Sequence, residues 1–528
     1  MYQTCDFKCV SMQNPTFKSS NFVQNHDVKS SNFVKIQGRK SSNFVRNHDV
    51  KSSNFVKIRG RKSSNSVNYM YLLDRYLFVN AKYLHRKAYS KLLEWKETMR
   101  GSTAIRLDGA RRVGKSTLVK EFAKNEYKSC LYIDFSIADK QIRDIIVSNA
   151  RDLDLLFNKL SRAYDVTLYR RKSLVVFDEI QTFPFARQMI KHFVEDGRYD
   201  YIETGSLISI QSNIQNILIP SEEQQMYLHP LDFEEFLWAM GVEDLAEYLK
   251  DCYNNNVPVG GAVHSRAMDW FRQYMLVGGM PQVVSEYSRS KDFHRADIFK
   301  KEILYIYRAD ITRFAKGYEK KVEAIFDDVP SELSKKNKRF KITSLGEGAR
   351  MRDYDSSFMW LEDGMITSSC YNASDPSSVG LSMYLERPVM KCYLNDTGLL
   401  VTHAMPGKND MDNVFYRDIL LDKLGVNEGM FTENIVAQML RASGNRLFYY
   451  YRSDAENAEN NMEVDFLVRI GRKICPIEVK SSSSDSISSL KKFHKKFPNT
   501  GQPIILYSGD VNTKDGILYL PLYMAMFL

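Results

Sequence analysis

The chain has 528 residues, 44% of them hydrophobic and 12% aromatic, which suits three or four globular domains and excludes a largely disordered protein. No uncharged apolar run approaches the roughly eighteen residues of a membrane helix, and residues 1–20 lack the continuous apolar region of a signal peptide. Seven cysteines, at 5, 9, 130, 252, 370, 392 and 475, form no CxxC pair, so a zinc site is not expected and reduced thiols in the cytoplasm are.

The net charge of +10 is unevenly spread. Residues 1–69 hold twelve Lys/Arg against Asp6, Asp27 and Asp49, a surplus of nine that leaves the rest of the chain near neutrality. The same stretch is an internal repeat: Lys-Ser-Ser-Asn-Phe-Val recurs at Lys18, Lys29, Lys40 and Lys51, with a degenerate copy at Lys62, a period of eleven. An eleven-residue period can build a right-handed helical supercoil, but one Phe-Val pair per unit amid Ser, Asn and Gly argues against a stable helix. Two readings remain: a disordered basic arm that holds nucleic acid through phosphate contacts, or a translated DNA repeat upstream of the true start. Such uniform repetition favours the second, with Met70 as the start.

The helix Arg86 to Trp95 leads the core. Thr103 to Asp108 then reads as a strand running into Gly109-Ala110-Arg111-Arg112-Val113-Gly114-Lys115-Ser116, a complete phosphate-binding loop, and Thr117 to Lys124 as the amphipathic helix leaving it. The glycines let backbone N–H groups curl around a phosphate, and the helix N-terminus adds positive potential. Gly109 to Thr117 are the nucleotide-binding candidates. Lys115 is placed to neutralise phosphate oxygens and Ser116 to hold Mg²⁺, so ATP with Mg²⁺ is the expected ligand.

Ser173 to Phe177 is a short apolar run fit for a strand buried on both faces, and it ends in Asp178-Glu179. Acids at the C-terminal end of such a strand face the ligand crevice. Asp178 is the candidate for Mg²⁺, and Glu179 for activating the attacking water; with Lys115 they form the catalytic set. A third strand, Tyr201 to Ser206, brings two hydroxyls, Thr204 and Ser206, as alternative readers of the nucleotide state.

The order GARRVGKST, LVVFDEIQ, ETGSL, LHPLDFEEFLWAMG (228–241) and YMLVGGMPQVV (274–284) resembles the AAA+ ATPases of bacteria and archaea. More narrowly, it is similar to the subfamily that joins this ATPase to a C-terminal domain of uncharacterised function. The resemblance runs from about Leu84 to Leu528. It implies an α/β P-loop NTPase with a parallel sheet and a helical lid. A winged-helix segment and an α/β, restriction-endonuclease-like C-terminal domain follow. The expected boundaries are 70–240 for the core, 241–315 for the lid, 316–384 for the winged helix and 385–528 for the last domain. Arg308 and Arg313, in YRADITRF near the lid, are arginine-finger candidates, acting within the chain or on a neighbouring subunit of an oligomer.

Val322 to Ile366 reads as helix, turn, helix and a recognition-like element, with Ser331 as a helix cap and a basic cluster of Lys335, Lys336, Lys338, Arg339 and Lys341. Such a module either contacts DNA or serves as a packed lever between domains. Further on, Phe431 to Asn434 opens a helix capped by Thr432. Strands follow at Phe448–Tyr451, Glu463–Val468 and Pro476–Lys480. Asp465, twelve residues, then Glu478-x-Lys480 fits the PD-(D/E)XK nuclease arrangement, with Glu433 as a further acid. Two carboxylates can hold a second Mg²⁺ while Lys480 positions water. Ile517 to Leu528 reads as a terminal buried strand. Two functions follow. One is an ATPase that drives a nuclease-like, DNA-interacting domain; the other is an ATP-gated switch whose nuclease-like domain only binds nucleic acid or a protein partner. The near-neutral charge of residues 70–528 favours the second, and competent residues at all four acid-and-lysine positions favour the first.

N-terminal sequencing of the native protein is expected to find a start at or near Met70; a mature N-terminus near Met1 would refute the upstream-repeat reading.

Overall fold

The computed structural model describes residues 33–38, 41–46, 83–206, 220–405, 413–420, 428–454, 461–480 and 488–528. Most of the repeat and Met70 lie outside the described residues. The chain divides into a unit within residues 10–82 and a second one spanning 83–528. In the first, β1 (Phe33–Gly38) and β2 (Ser41–Arg46) pair antiparallel with Gly38 opposite Ser41, so two successive repeat units form a hairpin rather than a helical supercoil.

The second unit opens with α1 (Lys87–Met99), followed by β3 (Ala104–Asp108) and α2 (Lys115–Glu126). β4 (Ser129–Asp134), β5 (Ser173–Asp178), β6 (Asp200–Gly205) and β7 (Glu223–Tyr227) complete a parallel sheet in the order β4-β5-β6-β3-β7. Every residue of β5 is buried. Its alternate side chains go to opposite faces: Leu174 and Val176 join a core with Leu118, Val119 and Phe122 of α2. Val175 and Phe177 join another with Ile142, Leu156 and Phe193. A strand covered on both sides must be apolar at every position, which is why this run carries no alternation. The order also sets β5, β6 and β3 side by side, so the residues at their C-terminal ends meet at one edge.

A helical layer follows: α3 (Phe233–Met240), α4 (Glu243–Asn255), α5 (Gly261–Val277), α6 (Pro281–Ser290) and α7 (Phe293–Phe314). Asp232 and Glu235 form a reciprocal capping box on α3, satisfying two N–H groups that the first turn leaves open. The Gly278-Gly279 turn between α5 and α6 exists because of crowding. A Cβ on Gly279 would stand 2.1 Å from the Leu231 carbonyl oxygen.

α8 (Glu319–Ser334) contains Pro330, which has no N–H for the Phe326 carbonyl one turn earlier. His403 takes up that carbonyl through Nε2 at 2.9 Å. Ser331 is thus inside α8 and caps nothing. After α9 (Asp355–Asp363), β8 (Thr367–Ala373) and β9 (Leu385–Leu394) form an antiparallel pair, and β8 also pairs in parallel with β10 (Phe448–Arg452). The resulting sheet, β11-β10-β8-β9, joins strands from both sides of residue 384. α10 (Thr397–Ala404) sits so close to α5 that a Cβ on Gly398 would fall 2.3 Å from the Val277 carbonyl oxygen.

α11 (Glu428–Ala442) begins earlier than read from the sequence, which puts Thr432 inside the helix instead of at its cap. The expected strand Glu463–Val468 is two strands, β11 (Met462–Val464) and β12 (Phe466–Ile470), broken at Asp465. β11 belongs to the four-stranded sheet and β12 to a five-stranded one, β12-β13-β14-β16-β15. β13 (Lys473–Val479), α12 (Ser488–Lys496), β14 (Ile504–Tyr507), β15 (Asn512–Lys514) and β16 (Ile517–Pro521) complete it. The terminal segment is a strand only to Pro521; Leu522–Phe527 is a 3₁₀ helix. Among the described residues no helix is long and apolar enough to cross a membrane.

Gly398→Ala is expected to cost about 1–3 kcal/mol by overpacking the α5–α10 contact, read as a lower urea midpoint with an unchanged slope.

Candidate functional site

The loop between β3 and α2 turns through Arg112 (φ 66°) and Gly114 (φ 98°), left-handed positions that bend the chain into the helix N-terminus. Gly109 permits close approach: a Cβ there would meet the Leu228 carbonyl oxygen at 2.7 Å. Lys115 is buried, and its Nζ donates to the carbonyls of Gly109 (2.7 Å) and Ala110 (3.0 Å). Burial pushes its ammonium down to about 8, although Glu179, Asp178 and Asp108 lie near enough to oppose that.

Asp178, at the end of β5, is the centre of the site. Ser116 Oγ donates to its Oδ2 at 2.9 Å, and Tyr132 OH, from β4, donates to the same oxygen. Thr204 Oγ1, from β6, donates to Oδ1, which also accepts the Glu179 N–H at 3.1 Å. Of the two hydroxyls offered by the sequence, Thr204 is the one on the acid; Ser206 is buried at the end of the strand. Glu179 is left-handed (φ 52°), and its Oε2 accepts from Gln181 at 2.5 Å. Burial raises its carboxyl, with Asp178 adding to the rise and Lys115 opposing it.

Neighbouring helices grip the loop. Arg86 donates to the Val113 carbonyl (3.1 Å) and the His229 carbonyl (2.6 Å), and pairs with Glu235 (3.1 Å). Tyr307 OH on α7 reaches the Arg111 carbonyl at 3.4 Å, and the Arg111 guanidinium pairs with Asp310. Arg308 pairs with Asp327 of α8 at 2.6 Å, with Glu323 at 3.9 Å. Arg313 lies over the Phe314 ring and within electrostatic reach of Asp310, the partner of Arg111. Neither Arg86 nor Tyr132 stood out in the sequence, since each acts through a partner dozens of residues away.

The chain's own residues fit a magnesium nucleotide. A buried lysine bonded to loop carbonyls is ready for anionic oxygens, and the Ser116 hydroxyl with the Asp178 carboxylate is an all-oxygen donor set of the kind Mg²⁺ takes.

The second constellation is differently made. Glu433 on α11 is buried; Lys338 holds its Oε2, Lys391 its Oε1 at 3.0 Å, and Tyr393 OH also donates to Oε1. Burial works to raise this carboxyl, but the two ammonium groups overcome it and hold it below the usual range. Asp465 accepts from Val479 N–H at 3.0 Å, and Lys480 Nζ sits 2.8 Å from Glu478 Oε1. Burial, then the neighbouring Asp465, raises the Glu478 carboxyl. Lys391 and Tyr393 were missed in the sequence. The signal available was a lysine at an inward position of the Val-Met-Lys-Cys-Tyr-Leu run.

Residues 101–237 match a family model described as an AAA domain. Residues 268–410 and 428–524 match two models, each described as a domain of unknown function, DUF8612 and DUF4143. No curated protein matches the chain. Among solved structures, it is similar to Cdc6p from Pyrobaculum aerophilum at 10% identity, covering 65% of this chain and 97% of that one, with a TM-score of 0.25. It is also similar to a signal transduction ATPase with numerous domains and a tetratricopeptide repeat sensor, from Pyrococcus horikoshii, at 12% identity. That match covers 67% of this chain and 48% of the other, with a TM-score of 0.23. Both scores are too low to carry a functional inference. The parallel sheet and the AAA-domain match agree on a P-loop AAA+ core.

Phosphates need the Lys115 ammonium, which the nucleotide-free protein loses as pH rises through about 8. Nucleotide affinity, measured by fluorescent-nucleotide titration, is therefore expected to hold below that pH and fall above it by about tenfold per unit. Lys115→Ala is expected to abolish the dependence.

Proposed function

We propose that the protein is an AAA+ ATPase that binds ATP with Mg²⁺, hydrolyses it, and uses turnover to change the conformation of its C-terminal half. The observation that carries this reading is the gathering of Ser116, Thr204 and Glu179 around Asp178, with Lys115 the neighbour of Ser116 in the chain. In this reading Gly109 to Thr117 wrap the phosphates, Lys115 meets their charge, and Ser116 with Asp178 holds the metal. Bound Mg²⁺ supplies the charge neutralisation that phosphoryl transfer needs. Glu179 takes the proton of the attacking water; its raised carboxyl moves it closer to the working pH of a general base. Thr204 reports the nucleotide state to Asp178. Arg313 is the better placed of the two arginine-finger candidates, because Arg308 is spent on Asp327.

A route for the conformational change is built in. Arg111 of the loop is fastened to Asp310 of α7, and Asp297, thirteen residues earlier on that helix, accepts from Thr402 of α10 at 2.6 Å. At 1.5 Å per residue the two acids stand about 20 Å apart, so α7 connects the loop to the downstream domain.

For that domain, the nuclease-like, DNA-interacting reading rests on Asp465, Glu478 and Lys480 occurring together. The switch reading, with a binding module for nucleic acid or protein, is favoured by a specific observation. Lys338 pairs with the buried Glu433, so one member of the basic cluster is drawn into the fold, and the part-exposed Lys335 is paired with Glu332.

Phosphate release is expected to vanish in Lys115→Ala. Glu179→Gln is expected to keep ATP binding and lose about 100-fold or more in kcat. Arg313→Ala is expected to slow turnover more than Arg308→Ala. Full activity in Lys115→Ala would sink the ATPase reading.

A further inference from the structure

The carboxylates that a metal-dependent nuclease would use already surround a cation. Lys391 Nζ lies 3.0 Å from Glu433 Oε1, 3.0 Å from Glu463 Oε1 and 3.4 Å from Asp465 Oδ1, and its side chain is 1% exposed. We propose that Lys391 is the resident cation of this site, standing where a divalent metal would sit, and that the acidic set is a metal-free joint between β9 and the C-terminal domain. The proposal deepens the switch reading of that domain and rests on it.

The ammonium donates to Glu433 Oε1 at 3.0 Å and to Asp465 Oδ1 at 3.4 Å and forms an ion pair with Glu463 Oε1 at 3.0 Å, so three carboxylates surround it. Other oxygens of the set are engaged elsewhere. Lys338 holds Glu433 Oε2, the Val479 N–H holds Asp465 Oδ2 at 3.0 Å, and Lys480 holds Glu478 Oε1 at 2.8 Å. Glu478 Oε2 is the one oxygen of Glu433, Asp465 and Glu478 left buried without a partner, and one oxygen is not a metal cage. Among the described residues no three acidic, His or Cys side chains are placed to hold an ion together. Mg²⁺ would need these oxygens at about 2.0–2.1 Å, in the volume the ammonium fills. Lys391 is not on a loop that could swing away. Its backbone is opposite Cys370 in the β8–β9 ladder and bridges Arg339 on the other side, and its Nζ sits 5.1 Å from the Tyr449 ring centroid.

The joint crosses a seam. Lys338 and Lys391 belong to the segment matched at 268–410, and Glu433, Glu463 and Asp465 to the one matched at 428–524. Cations from one segment fill the acidic site of the other.

The test is a Mn²⁺ titration of the nucleotide-free full chain by electron paramagnetic resonance, in an Asp178→Asn background that silences the phosphate-loop site. No Mn²⁺ is expected to bind, and adding Asp465→Asn is expected to change nothing in the titration while lowering Tm. Lys391→Ala, which removes the cation shared by Glu433, Glu463 and Asp465, is expected to gain one bound Mn²⁺ and to recover several degrees of Tm from it. One equivalent of Mn²⁺ on the parent chain, removed by Asp465→Asn or Glu478→Gln, would overturn the proposal. So would a folded Lys391→Ala protein that gains none, or Mg²⁺-dependent DNA nicking by the parent that Asp465→Asn abolishes. Should Lys391→Ala not fold, the parent and Asp465→Asn titrations decide alone. Phosphate release from chains with Asp178 intact reports on the ATPase reading separately.

Discussion

A buried carboxylate needs donors, and in this protein several such acids collect them from two or more elements at once. Asp178 draws hydroxyls from α2, β4 and β6 and so ties the phosphate loop to its own sheet. Glu235 ties α1 to α3 through Arg86. Asp396 accepts from the Gly279 N–H at 2.6 Å while capping α10, which pins the crowded α5–α6 turn to the start of α10. Asp297 and Glu433 repeat the arrangement further along. Apolar cores supply the bulk of the stability, but these acids fix which element meets which, because an acid moved out of register leaves donors and acceptor both unsatisfied.

The two constellations use this chemistry in opposite ways. Around Asp178 the donors are neutral hydroxyls and a backbone N–H, and the nearby Lys115 bonds only to carbonyls, so the site keeps charge capacity for a phosphate. Around Glu433 two of the donors are cations, beside the Tyr393 hydroxyl, and the carboxylate's charge is met within the fold. Similar residue types therefore give a ligand-ready site in one place and a closed joint in the other. Lys115 opens helix α2 and bonds to loop carbonyls, whereas Lys391 lies in strand β9 against the carboxylates themselves.

Much of the first site was legible in the sequence because its logic is local. Strand, glycine loop and helix follow one another directly, and β5 announces itself by six consecutive buried residues ending in an acid. The choice between Thr204 and Ser206 was not legible, since it depends on the register of β5 against β6. In the C-terminal domain the helix and strands were readable, but the period-two run at 463–468 hid a break. Asp465 leaves the strand pattern because its carboxylate turns to take the Val479 N–H. Lys391 was invisible for another reason: a lone lysine in a strand looks like a solvated edge until the four-stranded sheet folds it inward. Ser331 and Thr432 failed as caps because hydroxyls suit helix starts but do not fix them, and tertiary packing extended both helices past them.

The cation joint at Lys391 bears on modularity. The chain looks like a string of exchangeable parts, each recognisable by itself, and one would expect such parts to be reshuffled among proteins. Graft the last segment onto a neighbour without Lys338 and Lys391, and Glu433 would be buried with no counter-charge, a defect of about 3–5 kcal/mol where single domains have little more than that to spare. The smallest part that keeps its buried charges paired therefore spans both matched segments, not either one alone.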